Sequence, residues 1–292
     1  MGETRRGKLT AYDLSRREVL RAGGLAPAAG MLPATVHGRI IWGCNRGVWE
    51  KFNAATPAGL QRSVRTFYDY GQIPPSWPDS AGNAWVTLSL RPSRVVSELL
   101  DGKLDTQLKA LISSAPAHSQ LTFYHENNPG NPLIYPKSIS NATTAVEIQR
   151  HGQRLCAGSR VRFGVIIVGP AVANWIAPHL DWYGVDQYLF GTRYLTNGKL
   201  DPRGLYKHLD NDLAVFKHKS GLRHPQVCFP ETNAHPALYQ EGWFTELAAW
   251  ATEHNCHRIQ SFWDGQQGDG GKWPPGKAVI RRLRYLSALY AK

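Results

Sequence analysis

The chain has 292 residues, of which 42% are hydrophobic, so it can bury one large core or two smaller ones. Its net charge of +12 raises nucleic acid as a partner, but the basic residues are spread out and do not alternate with aromatic residues as in a base-stacking surface. Cys44, Cys156, Cys228 and Cys256 show no Cys-x-x-Cys spacing, which argues against a zinc site, and no apolar run reaches the roughly 18 residues of a membrane span.

Residues 1–36 have the composition of an export segment rather than of a folded domain. Ser15-Arg16-Arg17-Glu18-Val19-Leu20 resembles a twin-arginine signal, and the Ala- and Gly-rich stretch after it resembles the weakly apolar region of such a signal. The alternative is a basic, disordered N-terminus with a chance Arg-Arg pair. We therefore predict a disordered signal over residues 1–36, a folded domain over 37–292, and a secreted or cell-wall-associated protein. The four cysteines then form either two disulfides or four buried thiols.

From residue 38 onward, short apolar runs alternate with segments of helical spacing. Eight runs have the length and residue types of strands, over residues 39–44, 64–70, 84–90, 121–124, 161–168, 182–188, 226–229 and 257–263. Helices are predicted between them, over residues 57–63, 94–113, 141–157, 202–219, 236–254 and 277–290. Gly102 is expected to interrupt the second helix and Asn141 to cap the third, and the fifth has an amphipathic pattern.

The strict alternation of strands and helices predicts an α/β fold with a parallel sheet. Eight such units over about 250 residues fit a single (β/α)8 TIM barrel. A doubly wound open sheet is the alternative, but that fold binds a nucleotide through a Gly-rich loop after the first strand, and the chain has no such loop there.

Two glutamates follow predicted strands directly. Glu126 comes after the fourth strand in His125-Glu126-Asn127-Asn128, and Glu231 comes after the seventh in Pro230-Glu231-Thr232-Asn233. In a parallel barrel the C-terminal ends of all strands open onto one face, so both carboxylates are expected to lie in the same bowl. Two such carboxylates are the minimum needed to hydrolyse a glycosidic bond, although each alone could instead cap the next helix.

His125-Glu126 with Asn128 resembles the His-Glu-x-Asn signature of glycoside hydrolase family 26, the family of β-mannanases and related β-glucanases. This family belongs to a retaining clan whose acid/base ends strand four and whose nucleophile ends strand seven. The segments 181–188, 229–232 and 262–264 are similar to the family's sixth, seventh and eighth strands.

The resemblance implies that Glu126 is the proton donor, Glu231 the nucleophile, and Tyr188 a hydroxyl that keeps the nucleophile ionised and aimed. It also implies that His125 and Asn128 bind the sugar and that Trp263 floors the subsite at the cleaved bond, with no cofactor and no metal. Glu126 would then need a raised pKa, from apolar neighbours or from the charge of Glu231.

Three further residues are weaker candidates for substrate binding. Asp69, at the end of the second strand, could bind a sugar hydroxyl, but we favour a scaffolding pair with Arg91. Trp49 and Trp77 lie in segments after strands and could form sugar platforms, with core packing as the alternative. Trp243 and Trp250 have helical spacing and are assigned to the core.

The sequence thus predicts a secreted, monomeric, retaining endo-β-glycosidase that acts on a polysaccharide such as β-mannan or β-glucan. Phe123-Tyr124 and Pro129-Gly130-Asn131 depart from the family's residues at those positions, which bears on mannan specificity more than on the reaction class. The departures after Asn128, together with the basic surface, make a non-catalytic glycan-binding barrel at the cell wall the alternative. A nucleic-acid-binding role ranks third and is not expected.

Overall fold

The computed structural model describes residues 41–45, 62–78, 84–127, 129, 139, 141–189, 194–234, 240–254 and 258–261. The predicted signal over 1–36, the predicted closing helix, and the candidate residues Trp49, Asn128 and Trp263 lie outside these ranges. None of the helices within them has both the length and the apolar character needed to cross a membrane.

Eight parallel strands close into a barrel, as the alternating pattern predicts. Successive strands pair along the chain, and the first pairs with the last through Gly43 and Gln260. The second strand begins earlier than predicted, because Arg62 and Ser63 pair with the first strand instead of ending a helix. The strands are β1 Ile41–Asn45, β2 Arg62–Tyr68, β3 Trp85–Leu90, β4 Ser119–Phe123, β5 Arg162–Val168, β6 Trp182–Leu189, β7 Val227–Ala234 and β8 Arg258–Ser261.

Helices cover the outside of the barrel, and two residues predicted to break or cap them do so. Gly102, at φ 77°, divides the predicted helix 94–113 into two. The Asn141 side chain accepts a hydrogen bond from the Thr144 N–H at 2.9 Å and so caps its helix as expected. The described helices are α1 Val96–Leu100, α2 Asp105–Ser113, α3 Ala142–Cys156, α4 Pro202–Ser220 and α5 Gln240–Glu253, beside a 3₁₀ turn at Ala173–Trp175 and a two-stranded ribbon of Leu195–Thr196 with Lys199–Leu200.

The prediction that α5 is amphipathic is wrong. Every residue from Trp243 to Thr252 is buried, so the helix is covered on all sides. Its polar positions have partners inside the protein, as when the Tyr206 hydroxyl of α4 donates to the Glu246 carboxylate. A pattern of apolar and polar residues does not distinguish such a buried carboxylate from an exposed one.

The inside of the barrel contains both polar and apolar side chains. On the β2–β4 side, Arg65 donates to the Ser89 hydroxyl and Thr87 donates to Gln120, all four being buried. On the β5–β7 side, the buried residues Ile166, Trp182 and Cys228 form a small apolar cluster. A polar interior needs internal partners for each group, and at the C-terminal end of the strands those partners are carboxylates. Cys44, Cys156 and Cys228 are buried free thiols, and Cys256 lies outside the described residues.

Candidate active site

A tight turn at the end of β4 presents Glu126 to the barrel mouth. The Tyr124 N–H donates to the Leu90 carbonyl of β3 at 2.8 Å, whereas the Glu126 N–H donates to the Ile166 carbonyl of β5 at 2.8 Å. Tyr124 and Glu126 adopt φ of 46° and 61°, the left-handed region that costs a residue with a side chain of order 1 kcal/mol or more. The buried Tyr124 hydroxyl also donates to the Ser93 carbonyl at 2.6 Å. The amide bonds to β3 and β5, together with this hydroxyl, therefore hold the turn in an otherwise unfavourable shape.

The site on β7 is built by a β-bulge. Gly184 of β6 pairs with Cys228, and the next recorded pair is Gln187 with Thr232, so β7 uses three residues where β6 uses two. The extra residue lies around Pro230, which has no N–H to lose from the ladder, as is usual for proline at a bulge.

The bulge decides which way Glu231 points. In a regular strand, Cys228 and Glu231 would face opposite sides, because side chains alternate. Here Cys228 packs in the interior cluster and Glu231 also points inward, while Thr232 faces α5 and accepts a bond from the Trp243 indole N–H at 2.9 Å. Glu231 thus lies within β7, which continues to Ala234, rather than after its end as the sequence suggested.

Three carboxylates converge at the mouth of the barrel. One oxygen from each of Glu126, Asp186 and Glu231 lies within 4.8 Å of the other two. Asp186 and Glu231 are buried, and Glu126 is partly exposed. The structure therefore brings together the two glutamates singled out in the sequence, and it adds Asp186 of β6, to which the sequence pattern gave no role.

Arg65 is the cation of this cluster, and it was missed in the sequence. Its Nη1 lies 3.0 Å from one Asp186 oxygen and 2.9 Å from Glu231 Oε1, and its side chain is fully buried. Its guanidinium also stacks over the Phe67 ring at 4.5 Å. Because β2 is not a neighbour of β6 or β7 in the ring, these contacts cross the barrel interior. The available signal was a charged residue at an inward position of β2, in register with Ser63 and Phe67.

The environment sets the two glutamates apart. Burial, followed by repulsion from Glu231, raises the pKa of Glu126 to about 7, while Arg65 and Arg91 oppose the shift. Glu231 instead receives the Tyr188 hydroxyl as a hydrogen-bond donor, together with the Arg65 ion pair. At neutral pH, Glu126 is therefore able to carry a proton, while Glu231 is held by a hydroxyl donor and a buried cation.

The other groups fit this charge arrangement. Burial, and then repulsion from Glu231, raises the pKa of the Tyr188 hydroxyl well above its ordinary value, so this hydroxyl stays a donor. Burial also raises the pKa of Asp186 well above its usual range, against the opposing Arg65 charge. Burial alone would lower the pKa of Arg65, but Asp186 and Glu231 together raise it.

His125 is neutral and lies beside Glu126. Burial, with the nearby charges of Arg65 and Arg91, lowers its pKa well below the usual range. Its ring meets Phe67 edge-on at 5.4 Å, and the Arg91 Nη2 approaches its Nε2 at 3.4 Å. The ring therefore borders the carboxylate cluster on the β2–β3 side.

The remaining candidate residues have different outcomes. Asp69 pairs with Arg91 at 3.1 Å, which is the contact that the scaffolding interpretation expects, but its side chain is 70% exposed. Trp77 is wrong as a sugar platform: only 6% of it is exposed, it packs in the hydrophobic core, and its backbone N–H donates to the Ser114 hydroxyl at 2.7 Å after α2. A segment that follows a strand can fold back onto the core, and the residues of the segment alone do not predict this packing. Trp243 and Trp250 are buried, as predicted.

Among the described residues, the same three carboxylates are the group that could offer oxygens to a metal ion. However, the Arg65 guanidinium already lies between Asp186 and Glu231 and would repel a cation placed there. The geometry fits acid–base and nucleophilic chemistry without such an ion.

No protein-family model matches the chain, and no curated protein matches it in sequence. Its fold is similar to that of a GH26 β-mannanase from Bacteroides ovatus, with a TM-score of 0.53 and 10% identity over 87% of this chain and 90% of that one. It is also similar to a 4-O-α-L-rhamnosyl-β-D-glucuronidase from Fusarium oxysporum 12S, with a TM-score of 0.55 and 10% identity over 89% and 72% of the two chains. A fungal β-1,4-galactanase gives a TM-score of 0.52 at 10% identity over 85% of this chain and all of the other. At such identities the likeness shows a shared barrel fold.

Proposed function

We propose that this protein is a retaining endo-β-glycosidase that hydrolyses a β-linked hexose polysaccharide such as β-mannan or β-glucan. The observation that carries the proposal is the pairing of Glu126 and Glu231, whose nearest oxygens lie within 4.8 Å. Retaining enzymes hold their two carboxyl groups about 5–5.5 Å apart, whereas inverting enzymes need roughly 6.5–9.5 Å to admit a water. The short separation supports retention.

In the first step, a Glu231 oxygen attacks the anomeric carbon while Glu126 donates its proton to the departing glycosidic oxygen. In the second step, Glu126 takes a proton from water, and this water displaces Glu231 from the sugar. Arg65 and Tyr188 aim the attacking carboxylate and stabilise its charge before attack and after release. Because the first step needs protonated Glu126, kcat/KM is expected to fall above a pH of about 7.

The site also supports placing the chain with the retaining clan of family 26. His125-Glu126, residues 181–188, Phe229-Pro230-Glu231-Thr232 and residues 262–264 carry that proposal. Within them, the bond from Tyr188 to Glu231 fits the role that the resemblance implies for this tyrosine.

The decisive experiment compares Glu126→Ala and Glu231→Ala with the unaltered protein on mannan, mixed-linkage glucan and aryl β-glycosides, with and without azide. Azide can enter the space that each truncation leaves. In Glu231→Ala it attacks the face opposite the leaving group and gives an α-glycosyl azide. In Glu126→Ala it displaces Glu231 from the covalent intermediate and gives a β-glycosyl azide. Turnover like that of the unaltered protein in either variant would refute the assignment, and glycan binding without release of reducing ends would support a non-catalytic barrel instead.

The Arg16-Arg17 segment supports a second proposal, that the protein is exported by the twin-arginine pathway. Replacing both arginines by lysine should retain the protein in the cytoplasmic fraction of its host. Unchanged export of the double variant would contradict this.

A further inference from the structure

Arg91 places a guanidinium at the edge of the carboxylate cluster. It is the first residue after β3, and its backbone N–H donates to the Tyr68 carbonyl at the end of β2. Its Nη2 reaches His125 Nε2 at 3.4 Å, so the cation lies beside the residue that precedes Glu126. Its charge is close enough to oppose the raised pKa of Glu126. A sugar bound against Glu126 on this side would therefore meet a positive charge.

The protein leaves part of this guanidinium available, because the Arg91 side chain is 25% exposed although its Nε is buried. An arginine has five N–H donors, and those of Arg91 are directed at one Asp69 oxygen and one His125 ring nitrogen. The Asp69 side chain is 70% exposed, and an ion pair in that setting contributes at most about a 2- to 5-fold preference for the paired state. A ligand carboxylate can therefore replace Asp69 on Arg91 at little cost.

The surroundings reinforce the positive charge. Arg94, which is exposed, lies over the same Tyr70 ring as Arg91, with guanidinium-to-ring distances of 5.2 Å and 5.8 Å. Among the described residues, the acid that pairs with this group is Asp69, and it pairs with Arg91. We call Arg91, Arg94 and Tyr70 the arginine patch. With a net charge of +12 over the chain, attraction of a polyanionic glycan to this patch is reinforced at long range.

We propose that the subsite between Glu126 and the arginine patch takes a hexuronate unit, whose carboxylate binds the Arg91 guanidinium in place of Asp69. This deepens the proposed function, on which it rests, by adding an acidic sugar next to the cleaved bond of a β-linked glycan. A planar carboxylate matches the two parallel N–H groups of a guanidinium, and a hexuronate holds that carboxylate directly on its ring, whereas a 6-O-sulfate lies farther out on a flexible CH2–O linkage. Arg91 is then the residue that determines specificity for the acidic unit.

The test uses matched oligosaccharides that differ in charge alone. β-Glucan and β-mannan oligosaccharides are oxidised at their primary hydroxyl groups to give hexuronates, and part of each sample is converted to the neutral methyl ester. A 6-O-sulfated sample of the same length serves as the alternative anion. Hydrolysis is measured as kcat/KM, and binding is measured separately by calorimetry, for the unaltered protein, Arg91→Gln and Arg94→Gln.

The unaltered protein should favour the hexuronate over its methyl ester by about 10- to 100-fold, the value of a charge-assisted hydrogen-bonded pair. Arg91→Gln should bring this ratio close to one, whatever its effect on the rate with the ester, and a thermal unfolding curve like that of the unaltered protein shows that the variant is folded. Arg94→Gln removes an arginine that lies on the same ring but, among the described residues, has no contact with Glu126 or His125, and it should change the ratio by less than about 3-fold.

Equal use of acid and ester by the unaltered protein, an unchanged ratio in Arg91→Gln, or a preference for the sulfated sample would each overturn the inference. The two proposals fail separately. Hydrolysis of neutral glycans without charge preference removes the acidic subsite and leaves the glycosidase, whereas charge-selective binding without any hydrolysis removes the glycosidase and leaves the subsite.

Discussion

The ends of β4 and β7 carry the same side chain in opposite settings. Glu126 follows its strand in a left-handed turn, partly exposed, with a pKa raised to about 7. Glu231 lies inside its strand at a bulge, buried against Arg65 and Tyr188. Two identical carboxylates thus have different surroundings, set by the stretch of backbone that carries each one and by the groups that face it. That difference should govern both activity and stability.

The largest effect is expected when Glu126 and Glu231 are substituted and the variants are compared on substrates with poor and good leaving groups. Glu126→Gln should lose about 10²- to 10⁴-fold in kcat/KM on oligosaccharides, whose departing oxygen needs a proton, and far less on aryl glycosides with acidic leaving groups. Glu231→Gln should lose at least as much on both, because no substrate escapes the need for a nucleophile. Steady-state kinetics on the two substrate types gives the comparison. Equal dependence on the leaving group in both variants would mean that Glu126 and Glu231 do not have separate roles.

A substitution of Arg65 removes the buried cation that pairs with Glu231. Arg65→Met leaves Asp186 and Glu231 buried without their cation, which should cost about 3–5 kcal/mol of unfolding free energy at pH 7. Urea denaturation measures this loss. The matched control is Asp69→Asn, which removes the exposed pair with Arg91 and should cost less than about 1 kcal/mol. Similar losses in the two variants would show that the barrel interior does not depend on Arg65.

A substitution of Tyr188 also tests the surroundings of Glu231, with a smaller expected effect. Tyr188→Phe removes the hydroxyl that donates to Glu231 and should lower kcat/KM by about 10- to 100-fold, the value of one hydrogen bond to a charged group. Tyr183→Phe is the control on the same strand, because that ring faces outward and stacks on Phe216 at 4.9 Å. A comparable loss in the control would indicate general damage to β6 rather than a role at Glu231.

The smallest effect concerns stability at the β4 end. The pKa of Glu126 is raised in the fold from an ordinary value of 4.5 to about 7, so the folded state holds this proton more tightly than the unfolded state. The unaltered protein therefore loses stability as the pH rises from about 4.5 to about 7. Glu126→Gln cannot ionise and should gain Tm relative to it between pH 5 and pH 8, by roughly 2–4 °C for each kcal/mol of burial cost and repulsion relieved. Calorimetry at the two pH values checks this, and an equal Tm difference at both would contradict it.

Local patterns predicted the parts of the fold that local forces decide. Apolar runs of strand length alternate with helical spacing, Gly102 breaks a helix, and Asn141 caps one, because each depends on neighbours in the chain. Eight units then imply a closed ring, and a ring places Glu126 and Glu231 at one mouth.

What the sequence did not predict depends on partners far away in the chain. Arg65 is separated from Asp186 by 121 positions, and nothing near it indicates that its guanidinium crosses the barrel. The position of Trp77 after a strand predicted an exposed ring, but distant parts of the chain bury it in the core. Pro230 was the one local sign of the bulge, and proline alone does not specify how many residues the neighbouring strand will use.

Gly184 on β6 has a consequence for how this site can vary. A methyl group added to it would lie 2.6 Å from Pro230 Cγ and 2.9 Å from Ile166 Cγ1, closer than carbon atoms can approach. The absence of a side chain at Gly184 thus leaves space for Pro230 in the β7 bulge. Because the bulge turns Glu231 inward, Gly184 also determines where that carboxylate points. Among homologous sequences, a side chain at 184 should occur only where β7 has lost its irregularity, and such a protein would have to obtain its attacking group from another strand.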